Sequence, residues 1–150
     1  MIYQQFHYQV KIENIILFQI DKTSKLSKLY SQREFDRLGL GITVEQWILL
    51  KIIEEHDGLT QKELADKSFR DPSSITRTLD LLNKKGLVER KSVEDNRRQY
   101  DLCLTKKGQS FIDEYMSVVN NHRAKSIDGI SQEDLKTLNM LLGKIQQNMR

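Results

Sequence analysis

The stretch from Asp71 to Gly86 admits few conformations, and the rest of the chain has to fit around it. Asp71 can accept the free amides of a first helical turn. Pro72 suits the first helical position, where it has no amide bond to lose, and Gly86 suits a left-handed exit. Between these limits Ile75, Leu79 and Leu82 recur at i, i+4 and i+7, so a helix over about residues 71–85 must bury one stripe. The other face carries Ser73, Thr76, Arg77, Asp80 and Lys84. Small polar side chains at its N-terminal end let the backbone approach a DNA groove closely, with Ser74 beside them. Arg77 can then reach a guanine edge or a phosphate.

Directly after Gly86 the period changes. Leu87 to Lys91 and Tyr100 to Leu104 read as two strands, since Tyr100, Leu102 and Leu104 alternate as a half-buried strand requires. The segment between them is read as a polar, charged loop, with a wing tip at about residues 93–98 that contains Asp95, Arg97 and Arg98. A helix followed by a two-stranded ribbon with arginines at its tip is a winged helix. Its helix enters the major groove while Arg97 or Arg98 reaches phosphates or the narrower minor groove. Upstream, Thr60 and Glu63 form a capping box that opens a short helix from Gln61 to Lys67, with Leu64 and Ala65 inward. Ser68, Phe69 and Arg70 then make the turn of a helix-turn-helix, without the glycine such a turn favours.

The run from Ser74 to Arg90, followed by Asp95-Asn96-Arg97-Arg98 and Leu104-Thr105-Lys106-Lys107-Gly108, resembles the MarR family of bacterial transcription regulators. The resemblance extends from about Asn14 to the C-terminus. It implies a homodimer of winged-helix subunits that binds a pseudo-palindromic double-stranded DNA operator, usually as a repressor released by a small-molecule effector. Two recognition helices related by a two-fold would enter successive major grooves about 34 Å apart. Carried over position by position, the resemblance puts Ser73, Ser74, Thr76 and Arg77 at base- or phosphate-facing places. Asp95 matches the acid that steadies the wing arginine, and Arg97 the arginine that enters the minor groove. The bland reading of Ser73 and Ser74 is a helix start with solvated hydroxyls. The family's effectors lie between the dimerisation helices and the winged helix, which makes Tyr30, Trp47, Tyr115 and Met116 candidate lining residues. Aromatics at helical spacing are also ordinary core.

The winged helix-turn-helix is expected over residues 43–104, with dimerisation helices over 1–38 and 105–150, so the fold class is mainly α with a small β wing. In residues 1–13, Phe6, Tyr8, Val10 and Ile12 alternate with polar residues. They read as an extended arm or short strand, or alternatively as an N-terminal extension of the first helix. A long helix then runs from about Asn14 to the Gly39-Leu40-Gly41 break. It has little on its polar side to hold it, so its apolar face calls for a partner. Thr43 and Gln46 form a capping box for a helix that Trp47, Ile48, Leu49, Leu50, Ile52 and Ile53 make apolar on several sides, closed at Asp57-Gly58. Leu59 adds a short strand to the wing. Thr105 caps a helix to about Ala124, and Ser131, with Asp134, opens a last helix on which Leu135, Leu138, Leu142, Ile145 and Met149 keep helical spacing.

Charge supports the surface rather than the class. From Arg70 to Lys107 there are ten Lys or Arg against six Asp or Glu, whereas the rest of the chain has fourteen against fifteen. The basic excess therefore sits on the proposed reading surface. The bland alternative is that Lys84, Lys85, Arg90 and Lys91 only solubilise it. No apolar run reaches the roughly 18–20 residues of a membrane span, and the N-terminus has no signal-peptide pattern, so a cytoplasmic protein is expected. The single cysteine, Cys103, lies in a predicted wing strand and reads as structural, while His7, His56 and His122 are too scattered for a metal motif. No cofactor is expected. With no phosphate-binding glycine loop, His-Glu-x-x-His or nucleophile elbow, an enzyme is not expected either. The alternative function is a winged-helix module that binds a protein instead of DNA.

Overall fold

The core forms around the helix whose sequence is apolar on several sides. In the computed structural model, which describes residues 10–56, 58–93 and 96–150 (the backbone alone at 96–99), this is α2, Val44–Glu55. The Thr43 side chain accepts the Gln46 amide at 3.1 Å, and the Gln46 side chain accepts the Thr43 amide at 3.0 Å. This reciprocal pair satisfies two donors that a helix start leaves open. Trp47, Leu49, Leu50 and Ile53 are then buried.

Before it runs α1, Ile16–Arg37, and after it come β1, Leu59–Thr60, α3, Gln61–Ser68, and α4, Pro72–Lys84. A second reciprocal capping box, between Thr60 and Glu63, starts α3. Next are β2, Val88–Val93, β3, Asn96–Leu104, α5, Lys106–Ser126, and α6, Gln132–Asn148. The sheet is antiparallel in the order β1-β3-β2, with Leu59 opposite Leu102 and Val88 opposite Leu104. Leu64 of α3, Ile75, Leu79 and Leu82 of α4, and Val88 and Leu102 of the sheet are all at most 2% exposed, so one apolar centre joins the helix-turn-helix to the wing. The chain divides into two compact units, Met1–Val118 and Val119–Arg150.

Two expectations change. Ile12–Asn14 is a single 3-10 turn, not a strand: the amides of Asn14 and Ile15 bond to the carbonyls of Lys11 and Ile12. Val10 and Ile12 pair with no strand among the described residues, and both are exposed. Residues 1–9, with Phe6, His7 and Tyr8, lie outside the described residues, as does Asp57. The wing ribbon also continues past its apolar part, through Val93 and from Asn96, where the sequence reading placed a loop. Ladder bonds join backbones, so polar side chains do not by themselves end strand pairing, although the register shifts between Ser92 and Val93.

The junction of wing and α5 depends on a close approach. Thr105 Oγ1 donates to the Gly86 carbonyl at 2.5 Å and accepts the Gly108 amide at 3.0 Å, and Lys107 Nζ donates to the Lys85 carbonyl at 2.8 Å. The first turn of α5 is thereby pinned to the end of α4. In the second unit, the Ser131 side chain accepts the Asp134 amide at 3.1 Å, and α6 buries none of its residues.

Candidate nucleic-acid interface

The α4 face that the core does not use is set by its start. Asp71 Oδ1 accepts the Ser74 amide at 2.9 Å and the Ser73 hydroxyl at 3.0 Å. These bonds, the Ser74 amide foremost, favour the ionised carboxylate and hold its pKa below the usual range. A depressed folded pKa adds stability above the unfolded value, and that contribution disappears as pH falls through the folded one. Asp71→Ala is therefore expected to lower the unfolding midpoint at pH 7, with the gap from wild type narrowing in acid. Thermal melts of both proteins at pH 7 and pH 3 check this; a gap that widens in acid would contradict the assignment.

Ser73, Thr76 and Arg77 are exposed on one side of α4. Thr76 Oγ1 donates to the Pro72 carbonyl at 3.0 Å and accepts Gln61 Nε2 at 2.6 Å. Gln61, the first residue of α3, thus joins the exposed face of α4. Sequence spacing did not single it out, because only the packing of α3 on α4 brings it there. Arg77 has no side-chain partner among the described residues and projects from the same surface.

Ser74 is different. It is half-buried, and its hydroxyl accepts Arg70 Nη2 at 2.5 Å. Arg70, another residue missed in the sequence, also lies 3.4 Å from Glu45 of α2, and Glu45 in turn pairs with Lys28 of α1 at 2.9 Å. The Lys28 hydrogen bond, helped by the charges of Lys28 and Arg70, holds the Glu45 carboxyl low against the opposing effect of burial. These contacts run from α1 through α2 and the turn into the first turn of α4. An arginine before Asp-Pro carries no periodic signal that would have identified it.

Two side-chain hydrogen bonds among the described residues tie the wing to α4. Arg90 Nη2 lies 3.0 Å from Asp80, and Asn83 Nδ2 donates to the Val88 carbonyl at 3.1 Å. Asp80 is therefore a brace between the helix and β2. At the far end of the ribbon the register shifts, from Ser92 opposite Tyr100 to Val93 opposite Asn96. Arg97 and Arg98 fall in this irregular stretch of β3, where only the backbone is described, and Asp95 lies outside the described residues.

Two of the candidate effector residues, Trp47 and Tyr115, belong to a cluster of aromatic rings. Trp47, 3% exposed, meets Phe35 edge-on at 6.0 Å between ring centroids and Phe111 at 6.3 Å. Phe111 in turn meets Tyr115 at 4.8 Å. This is an aromatic core cluster, with Tyr30 and Met116 half-buried elsewhere on α1 and α5. A cavity of about 340 Å³ lies against Glu54, His56, Lys91, Cys103 and Gln109, and none of the four residues borders it. His56 Nδ1 is 2.8 Å from the Ile52 carbonyl, so the imidazole complements the end of α2. Among the described residues no three His, Cys, Asp or Glu side chains are grouped to hold a metal ion, and no helix is long and apolar enough to cross a membrane.

Residues 42–100 match the model of the MarR family. The fold is that of solved MarR-family regulators. A MarR/EmrR family transcriptional regulator from Acinetobacter sp. ADP1 superposes with a TM-score of 0.85 at 18% identity, over 93% of this chain and 98% of that one. A MarR-family regulator from Silicibacter pomeroyi gives 0.79 at 21% identity over 93% of both chains. The S. aureus MepR-DNA complex gives 0.80 at 20% identity, over 89% of this chain and 98% of that one.

Proposed function

The chain carries a MarR-family winged-helix domain over residues 42–100, and from this we propose that it acts as a dimeric, sequence-specific transcription regulator in the cytoplasm, a repressor released by a small-molecule effector. DNA-binding regulation, not catalysis, is the business of this family. The observation that carries the reading is the α4 face, where Ser73, Thr76 and Arg77 stand exposed on a helix whose opposite side is locked into the core. A neighbour of the same fold was solved in complex with DNA.

In this reading α4 enters the major groove, with Ser73, Thr76 and Arg77 reading bases or phosphates. Ser74 supports the helix start, and Asp95, Arg97 and Arg98 form the minor-groove wing. Dimerisation is supported by uncovered apolar side chains: Ile16, Leu17, Leu26 and Leu29 on α1, Leu138, Met140 and Leu141 on α6, and Met149 just after it are each at least 47% exposed in the single chain. Helices with such faces gain stability mainly by covering them, and a second copy brings the same faces. The effector part of the reading retains Tyr30, Trp47, Tyr115 and Met116 as candidate residues. Trp47 Nε1, buried without a hydrogen-bond partner among the described residues, is the donor an effector would satisfy.

Purified protein is expected to sediment as a dimer and to bind the intergenic DNA upstream of its own gene. Binding should fall steeply with salt, by roughly three orders of magnitude or more between 50 and 200 mM if about six phosphates are neutralised. Sedimentation and a titration across that salt series check both expectations. Weak binding with no preference for an inverted repeat would turn the reading towards a protein partner.

A further inference from the structure

The turn between α3 and α4 inverts the usual placement of polar and apolar side chains. Arg70 is turned inward, its side chain 23% exposed and held between Glu45 and Ser74, while its neighbour Phe69 is 85% exposed, the most exposed of the large hydrophobic residues described. A half-buried charge beside an exposed aromatic ring is the informative departure from ordinary packing. The backbone adds a second departure. Phe69 has φ 54° and ψ 40°, the one described residue other than glycine in the left-handed region. A side chain with a β-carbon is strained there, and glycine is the usual solution at a helix exit of this kind. The Arg70 amide bonds to the Ala65 carbonyl at 3.1 Å and the Phe69 amide to that of Asp66 at 3.3 Å, which closes the exit and directs the ring outward.

The ring adds little to the core and occupies a strained position, so its use lies outside the subunit. In a helix-turn-helix the first helix crosses the DNA backbone and the N-terminal turn of the second reaches base edges. The connecting turn therefore lies where the sugar-phosphate backbone meets the major groove. Phosphates and the donor and acceptor edges of bases offer a phenyl ring no hydrogen bond; the apolar group presented in the major groove is the C5-methyl of thymine. We propose that Phe69 is a specificity-determining contact that packs its ring against a thymine methyl at the groove edge, with Arg70 as the inward anchor that aims it. The inference rests on the DNA-binding reading above and adds a base preference to it.

The test compares the full-length wild type with Phe69→Asn and Phe69→Tyr. Asparagine tolerates the left-handed conformation, so the first variant removes the ring without disturbing the turn. The probe is duplex DNA of the upstream intergenic region, made once with thymidine and once with deoxyuridine in its place. Phe69→Asn is expected to bind the thymidine duplex roughly five- to tenfold more weakly, as loss of one apolar base contact implies, with an unfolding midpoint at or above wild type. Phe69→Tyr should stay within about twofold. Replacing thymidine by deoxyuridine should weaken the wild type more than Phe69→Asn, the non-additivity expected of two groups in contact. Equal binding by wild type and Phe69→Asn would overturn the proposal, as would an equal loss for both on the deoxyuridine duplex. Failure of the wild type itself to bind either duplex would overturn the DNA reading and this inference with it.

Discussion

Arg77→Ala is expected to weaken binding to operator DNA by about 1–3 kcal/mol for each recognition helix, roughly 5- to 150-fold, while leaving the unfolding midpoint unchanged. The reason lies on the opposite side of α4. Ile75, Leu79 and Leu82 are at most 1% exposed, which fixes the rotation of the helix about its axis and sends Arg77 away from the core. With no intramolecular partner among the described residues, the guanidinium has nothing to release on binding and nothing to leave unpaired when removed. Arg77→Lys separates the two roles open to it. A bidentate guanine contact is lost with lysine, whereas a phosphate contact is largely kept. Fluorescence-anisotropy titrations of the three proteins on one operator duplex measure this. An alanine variant with wild-type affinity would remove this face of α4 from the reading surface.

Gly108→Ala is expected to cost about 3 kcal/mol of stability, a fall of roughly 6–12 °C in the unfolding midpoint. A β-carbon there would stand 2.1 Å from the Leu87 carbonyl oxygen and 3.1 Å from its carbon, distances at which the backbone must move. Neither side is free to do so. The Leu87 carbonyl accepts the Thr105 amide at 3.2 Å, its side chain is 2% exposed, and the Gly108 amide is held by Thr105. Relief would have to separate α5 from the first residues of the wing, so DNA affinity should fall together with stability. Urea unfolding and DNA titration of the same preparation check the pair. An unchanged midpoint would mean that the junction is looser than its contacts indicate.

These two residues were legible to different degrees. Arg77 stands on a face that the spacing of Ile75, Leu79 and Leu82 defines without any other part of the chain. Gly108 was visible only as part of a resemblance, since the carbonyl that forbids a β-carbon belongs to Leu87, twenty-one positions earlier. The starts of α2, α3, α4 and α6 were likewise readable from Thr43, Thr60, Asp71 and Ser131, because a cap and the amide it accepts are three residues apart. The length of the wing was not, because ladder pairing is set by the partner strand rather than by the apolar content of either one.

Local spacing alone was enough to place the starts of α2, α3, α4 and α6, the buried stripe of α4 and hence the side chains that α4 leaves exposed. These are properties of spacing within one or two turns, and the chain carries them wherever it goes. It took the packing of distant segments to turn Arg70 inward to Glu45 and Ser74 and Phe69 outward, to join Gln61 to Thr76, and to brace Arg90 of the wing against Asp80. Each of these depends on which surfaces meet, and contacts between distant segments follow from the packing of the whole core rather than from any local pattern.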